Sequence, residues 1–162
     1  MMVASFSAHP VSLEIEGGPT STNLSNTLVG SSEKANLFGF IGFGAGESPI
    51  QKIRTYLARN IEIRAVRRSL KDVVIDFAVN IPELDAVYDM SPMPWAPGLS
   101  WAEGIEKGIP GLGQYLAGGS SKGRSGGGIQ VKVAVNAGSF RSVRYMSKIL
   151  EDFVNDLALR LN

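Results

Sequence analysis

Apolar positions recur along the chain with two periods, and each change of period marks a change of element. Toward the C-terminus, Met146, Ile149, Leu150, Phe153, Val154, Leu157, Ala158 and Leu161 fall at i, i+3, i+4, i+7 spacing. That spacing predicts a long amphipathic helix over 143–161 whose stripe lies in the core. Ile50, Ile53, Leu57 and Ile61 share the helical period behind Pro49, a residue suited to the first helical position. Ser100 and Glu103 have the spacing of a capping box, which predicts a short helix that Gly108 and Pro110 end. A period of two runs through Val73–Ile81, with Ile75, Phe77, Val79 and Ile81 on one face, and again through Ile129–Val135. Both predict strands. Val11–Glu16 also alternates and predicts a short strand, while 61–67 fits a helix end or a strand equally. Leu37–Phe43 is apolar and aromatic, and reads as a strand weakened by its glycines. Ser91–Gly98 is rich in proline and predicts a loop.

The glycines divide the chain. Seven lie between Gly17 and Gly46, eleven between Gly98 and Gly128, one is Gly138, and none lies between Glu47 and Pro97. Residues 1–36 therefore read as a polar, partly flexible N-terminal arm, and 37–162 as one α+β domain. The expected architecture is a small, mainly antiparallel sheet packed against the long C-terminal helix, with an extended arm and Gly-rich loops. The segment 118–128 has glycine at six of its eleven positions and no apolar residue, so nothing local holds it in place.

Composition removes several chemistries. With no cysteine there is no disulfide scaffold, thiol nucleophile or Cys-based zinc site. The only histidine is His9, in a polar leader, which leaves no Ser-His-Asp array and no HExxH helix. No apolar run approaches membrane-spanning length, and the first residues lack the pattern of a signal peptide. No catalytic residue, metal ligand or cofactor is expected.

The net charge of +1 hides three blocks of like charge. Lys52, Arg54, Arg59, Arg64, Arg67, Arg68 and Lys71 are interrupted by Glu62 alone. Asp72, Asp76, Glu83, Asp85, Asp89, Glu103 and Glu106 follow without a cation, and the segment from Lys107 to Lys148 holds no acid. Ordinary surface pairing is one outcome of such segregation. The other is a pair of complementary faces that set register between neighbouring subunits, with Arg64, Arg67, Arg68, Lys122 and Arg124 meeting Asp85 and Asp89. Charged residues are only 19% of the chain against about 25% for an average domain, which suits a surface partly covered by partners.

Two other readings stay open. The basic segment 52–71 suits nucleic-acid phosphates, although it lacks interleaved aromatics for base stacking. Gly42–Gly46 follows an apolar run and precedes a helix, as a nucleotide-binding turn does. There the third fingerprint glycine is replaced by Glu47, whose charge repels phosphate. Pro94-Trp95-Ala96-Pro97 has the form of a groove-docking P-x-x-P, and reads more simply as a rigid loop. Glu103 and Glu106 share a helix face, and read as solvated.

From Ser91 onward the order of features resembles the tail-completion and neck proteins of tailed bacteriophages. Pro94-Trp95-Ala96-Pro97-Gly98-Leu99 stands for that family's Pro-loop-Gly-Leu segment, Glu106-Lys107-Gly108 for its Glu-x-Gly motif, and Phe140-Arg141 for the aromatic-Arg step before the last helix. Pro97 and Ile109 replace threonines of the pattern. The resemblance implies a non-enzymatic structural subunit of a homo-oligomeric head–tail ring, joining the capsid connector to the tail. Its implied partners are copies of itself, other neck, connector or tail proteins, and packaged DNA passing through. It implies no membrane partner, and a place in the virion after assembly in the host cytoplasm.

Overall fold

The computed structural model describes residues 1–30, 35–69, 74–108, 115–118, 128–131 and 139–161. Within them the protein is α+β, with small antiparallel sheets and a long C-terminal helix.

The chain opens on two helices, α1 (Met2–Ala8) and α2 (Pro10–Glu16), joined at His9. His9 caps α2: its Nδ1 accepts the Val11 N–H at 3.2 Å, and Pro10 takes the first helical position. Two expectations are corrected here. Val11–Glu16 is helical, and residues 1–30 are not an extended arm. Met2, Phe6, Val11 and Ile15 are fully buried, at helical spacings that seat both helices against the rest of the core. Ser12 and Glu14, which made the segment look alternating, are buried polar residues with partners of their own.

A short strand β1 (Leu28–Val29) follows, then α3 (Leu37–Ile41) where a strand was expected. Asn36 caps α3 by accepting the Gly39 N–H at 2.9 Å. Leu37, Phe38, Phe40 and Ile41 are all buried, so α3 is apolar all round and shows no periodic stripe. Gly42 ends it in the left-handed conformation (φ 85°), as the glycine of a helix C-cap does. The helix α4 (Pro49–Arg59) starts at Pro49 as expected and buries Ile50, Ile53 and Leu57.

Next come β2 (Glu62–Ser69) and β3 (Val74–Asn80), an antiparallel pair, then α5 (Leu84–Asp89). The Pro-rich segment is a second small hairpin rather than a plain loop, with β4 (Pro92–Met93) on β5 (Ala96–Ser100). It leads into α6 (Trp101–Lys107), where Ser100 Oγ accepts the Glu103 N–H at 3.1 Å. The strand β6 (Tyr115–Gly118) pairs with β7 (Gly128–Val131), and β8 (Ser139–Phe140) closes back on β1. The last helix, α7 (Met146–Leu161), begins three residues later than its periodicity suggested.

The core sits where α1, α3, α4, α6 and the first half of α7 meet. Trp101 and Tyr145 are its largest fully buried side chains. Around them Phe6 stacks on Tyr145, and Phe43 meets Trp101 edge to face at 5.8 Å. Such contacts add about 0.5–1.5 kcal/mol beyond area burial. Met146, Ile149, Leu150 and Phe153 are buried and Leu157 packs against the core, while Val154 and Leu159 are exposed.

Candidate functional site

The β2–β3 hairpin stands away from that core. Ile61 and Ile81 at its base pack against the core cluster, while every described side chain from Glu62 to Val66 is exposed, as are Asp76 and Phe77. The register explains which residues share a face. Ile63 pairs with Val79 and Ala65 with Phe77, giving an apolar face; Arg64 pairs with Ala78. A bulge at Val66 adds one residue to β2 and resets the alternation. Arg67, opposite Asp76, thereby falls in step with Arg64, and Arg68 stands opposite Ile75.

The strand expected at Val73–Ile81 is present, but its apolar face divides: Ile81 packs against the core and Val79 is half-buried, while Phe77 is exposed. Phe77 is 49% exposed, Ile63 59% and Val66 62%. Burying a large apolar side chain stabilises by about 1.5–3 kcal/mol, which this arm forgoes in the isolated chain. Arg64 lies along its own strand, donating to both oxygens of Glu62 at 2.7 and 2.6 Å. That contact holds the Glu62 carboxyl below the usual carboxylate range. At the arm's root an open notch of about 610 Å³ is lined by Tyr56, Arg59, Asn60, Glu62, Asn80 and Glu83, among others.

The acidic block gathers elsewhere, on α5 and α6. Asp85 and Asp89 are exposed one turn apart on α5, and neither has an ion-pair partner among the described residues. Glu103 pairs with Lys107 at 2.8 Å, and Lys107 also lies over the Tyr88 ring. Burial, reinforced by Glu106, Glu103 and Asp85, pushes the Tyr88 phenol up to about 12. Met90, next to Asp89 in the chain, is 39% exposed, and Leu99 is 38% exposed. A shallow depression of about 160 Å³ joins Leu99 to Met93, Glu103 and Lys107. The result is a face of mixed acidic and apolar character.

The charge blocks thus become separate surfaces rather than one paired patch. Arg64, Arg67 and Arg68 are on the arm; Asp85 and Asp89 are on the α5–α6 face. Lys122 and Arg124 lie outside the described residues, as does 119–127 of the Gly-rich segment. The segment 52–71 is not one basic stripe. It is split between α4 and β2, and Arg54 is held by Glu16 at 2.7 Å and by Ser7 at 3.0 Å. Gly42–Gly46 does not have the setting of a nucleotide-binding turn, because a helix and its glycine cap precede it instead of a strand.

The three segments carrying the phage-neck resemblance are built into the fold's framework. Trp95 donates its indole N–H to Ile41 O at 2.8 Å. Glu106 accepts the Ser147 N–H at 2.8 Å, at the first turn of α7. Phe140 stacks on Phe40 at 5.6 Å, and the Arg141 N–H reaches Thr27 O at 2.8 Å.

Sequence reasoning missed the exposed apolar residues on both surfaces. Alternation locates a strand's apolar face without saying whether this chain or another covers it. The signal was Ile63 set between Glu62 and Arg64, and Ala65-Val66 set between Arg64 and Arg67. Comparison with protein-family models, curated proteins and solved structures finds no match to this chain. No helix among the described residues is long and apolar enough to cross a membrane. No group of three or more His, Asp or Glu among them is placed to hold a metal ion.

Proposed function

We propose that this chain is a non-enzymatic structural subunit of a bacteriophage neck or tail-completion ring, joining the capsid connector to the tail within the virion. The observation that carries the reading is the β2–β3 arm, which holds Ile63, Val66 and Phe77 in solvent on a hairpin whose two strands pair with each other. A monomer has no use for such an arm, and exposed apolar strands are an aggregation hazard unless a partner covers them. An assembly subunit gains its missing burial from its neighbours. The order of the Pro94–Leu99, Glu106–Gly108 and Phe140–Arg141 segments supports the choice of a phage neck among assemblies.

The test is localisation with stoichiometry. Quantitative mass spectrometry of purified virions is expected to find the chain at a fixed small multiple per particle, and a labelled antibody should mark the head–tail junction. Absence from the particle, or a distribution over the whole capsid, overturns the reading.

A further inference from the structure

We infer that the β2–β3 arm of one subunit docks on the α5–α6 face of a second copy of the same chain. This rests on the assembly reading above and names the partner of that site. Two independent complementarities select a second copy over another occupant. The arm combines exposed apolar residues (Ile63, Val66, Phe77) with Arg64, Arg67 and Arg68 along β2. The α5–α6 face combines exposed apolar residues (Met90, Leu99) with Asp85 and Asp89, which have no ion-pair partner among the described residues. The cations of the arm outnumber Glu62 and Asp76, the acids of the face outnumber Lys107, and apolar residues meet apolar residues.

Reach and connectivity agree with docking between copies. An eight-residue strand spans about 25 Å, enough to cross onto a neighbour. The arm's root and α5 are joined by Ile81-Pro82-Glu83 alone, and the notch at that root is lined by Glu83 and Ala86 as well as by Glu62 and Asn80. Donor and acceptor surfaces are different patches, so unless two copies close reciprocally, each contact leaves an arm and a face free and propagates from copy to copy. Steering comes from the charges, and the buried area comes from the apolar residues.

Sedimentation of the full chain tests this directly, with far-UV circular dichroism to confirm folding. The parent should self-associate, more weakly at 500 mM than at 50 mM salt. Arg67→Glu with Arg68→Glu should weaken association about tenfold or more, as should Asp85→Arg with Asp89→Arg. Mixing the two charge-reversed chains should recover most of the loss, because each then meets its opposite. Phe77→Ser, a folded control without charge change, should weaken association at both salt concentrations.

A parent that is monomeric at every concentration overturns the inference. So does association that survives both reversals and Phe77→Ser; an oligomer of that kind still found at the head–tail junction leaves the assembly reading standing and removes only this contact. Salt-sensitive binding of duplex DNA by a monomeric parent, lost with Arg67→Glu and Arg68→Glu, overturns this contact, and together with absence from the virion it overturns both.

Discussion

Glu14 shows how one buried side chain organises the N-terminal third. Its carboxylate accepts the Leu37 N–H and the Ser25 N–H, both at 2.7 Å, and so ties α2 to the first turn of α3 and to the loop between them. Glu14→Ala leaves the buried Leu37 N–H and the half-buried Ser25 N–H without that acceptor, at about 1–3 kcal/mol for the buried one. Denaturant melts at pH 7 should show a loss of that order, with a smaller one for Glu14→Gln, which keeps an oxygen. Burial pushes the Glu14 carboxyl above its ordinary range, against the pull of those two N–H groups. A raised folded value means the group's contribution is complete below the unfolded value and declines as pH rises through the folded one. Glu14→Gln, which has no proton to lose, should therefore compare better with the parent at neutral pH than at pH 4. His9 has the opposite sign. Burial lowers its pKa, and its Nδ1 is occupied by the Val11 N–H, so protonation removes the α2 cap. Stability should be complete above the unfolded value of 6.5 and fall as pH drops below it. His9→Asn keeps a cap acceptor without titrating. The fall in melting temperature between pH 7.5 and 5.5 should shrink in that variant, and an unchanged fall would show that another group is responsible.

Elements were legible in the sequence where one surface was apolar and the other polar. The helices α4 and α7 lie close to where their periods placed them, because water faces one side of each; α6 lies where its capping box placed it, and β3 where its alternation did, although Asp76 and Phe77 on its two faces are both exposed. The misread elements fail for opposite reasons. In α2 the exposed Leu13 and the buried Ser12 and Glu14 invert the usual pattern, since Tyr145 Oη lies 2.6 Å from Ser12 Oγ and backbone N–H groups pair with Glu14. In α3 burial on all sides erases the period. Neither kind of polar or apolar partner can be read from local order, because each comes from a distant part of the chain. The charge blocks placed cations along β2 and acids on α5 and α6 without showing that 52–71 is split between α4 and β2, and the arm's solvent-exposed apolar residues were not legible. The stripe of α7 was read as uniformly buried, and it divides. Phe153, 9% exposed, is core, while Val154, 44% exposed, is not, and Leu159, which lies off the stripe, is 80% exposed. Phe153→Ala should cost about 3–5 kcal/mol, and Leu159→Ala should stay within about 0.5 kcal/mol. Equal shifts in melting temperature would place the domain's core elsewhere than against α7.

At the scale of the whole molecule, the protein carries an arm and a receiving face on different surfaces, and this asymmetry decides what it can build. If arm and face meet between copies, every subunit offers one donor and one acceptor, and growth continues until a ring closes. Neutral lesions separate the two roles without changing charge. Ile63→Ser with Phe77→Ser removes the apolar contacts of the arm and leaves the face intact. Met90→Ser with Leu99→Ser does the reverse. All four side chains are at least 38% exposed, so neither double variant should unfold the monomer. Each variant alone lacks one half of every contact and should sediment as a monomer. An equimolar mixture has a single good pairing, the arm of the face variant on the face of the arm variant. It should stop at two copies, whereas the parent grows past two. Charge-reversed chains behave differently in a mixture, because reversal on both sides rebuilds the second pairing and growth resumes. A parent that stops at two copies would instead indicate a reciprocal contact, in which two arms and two faces close on each other and no ring forms.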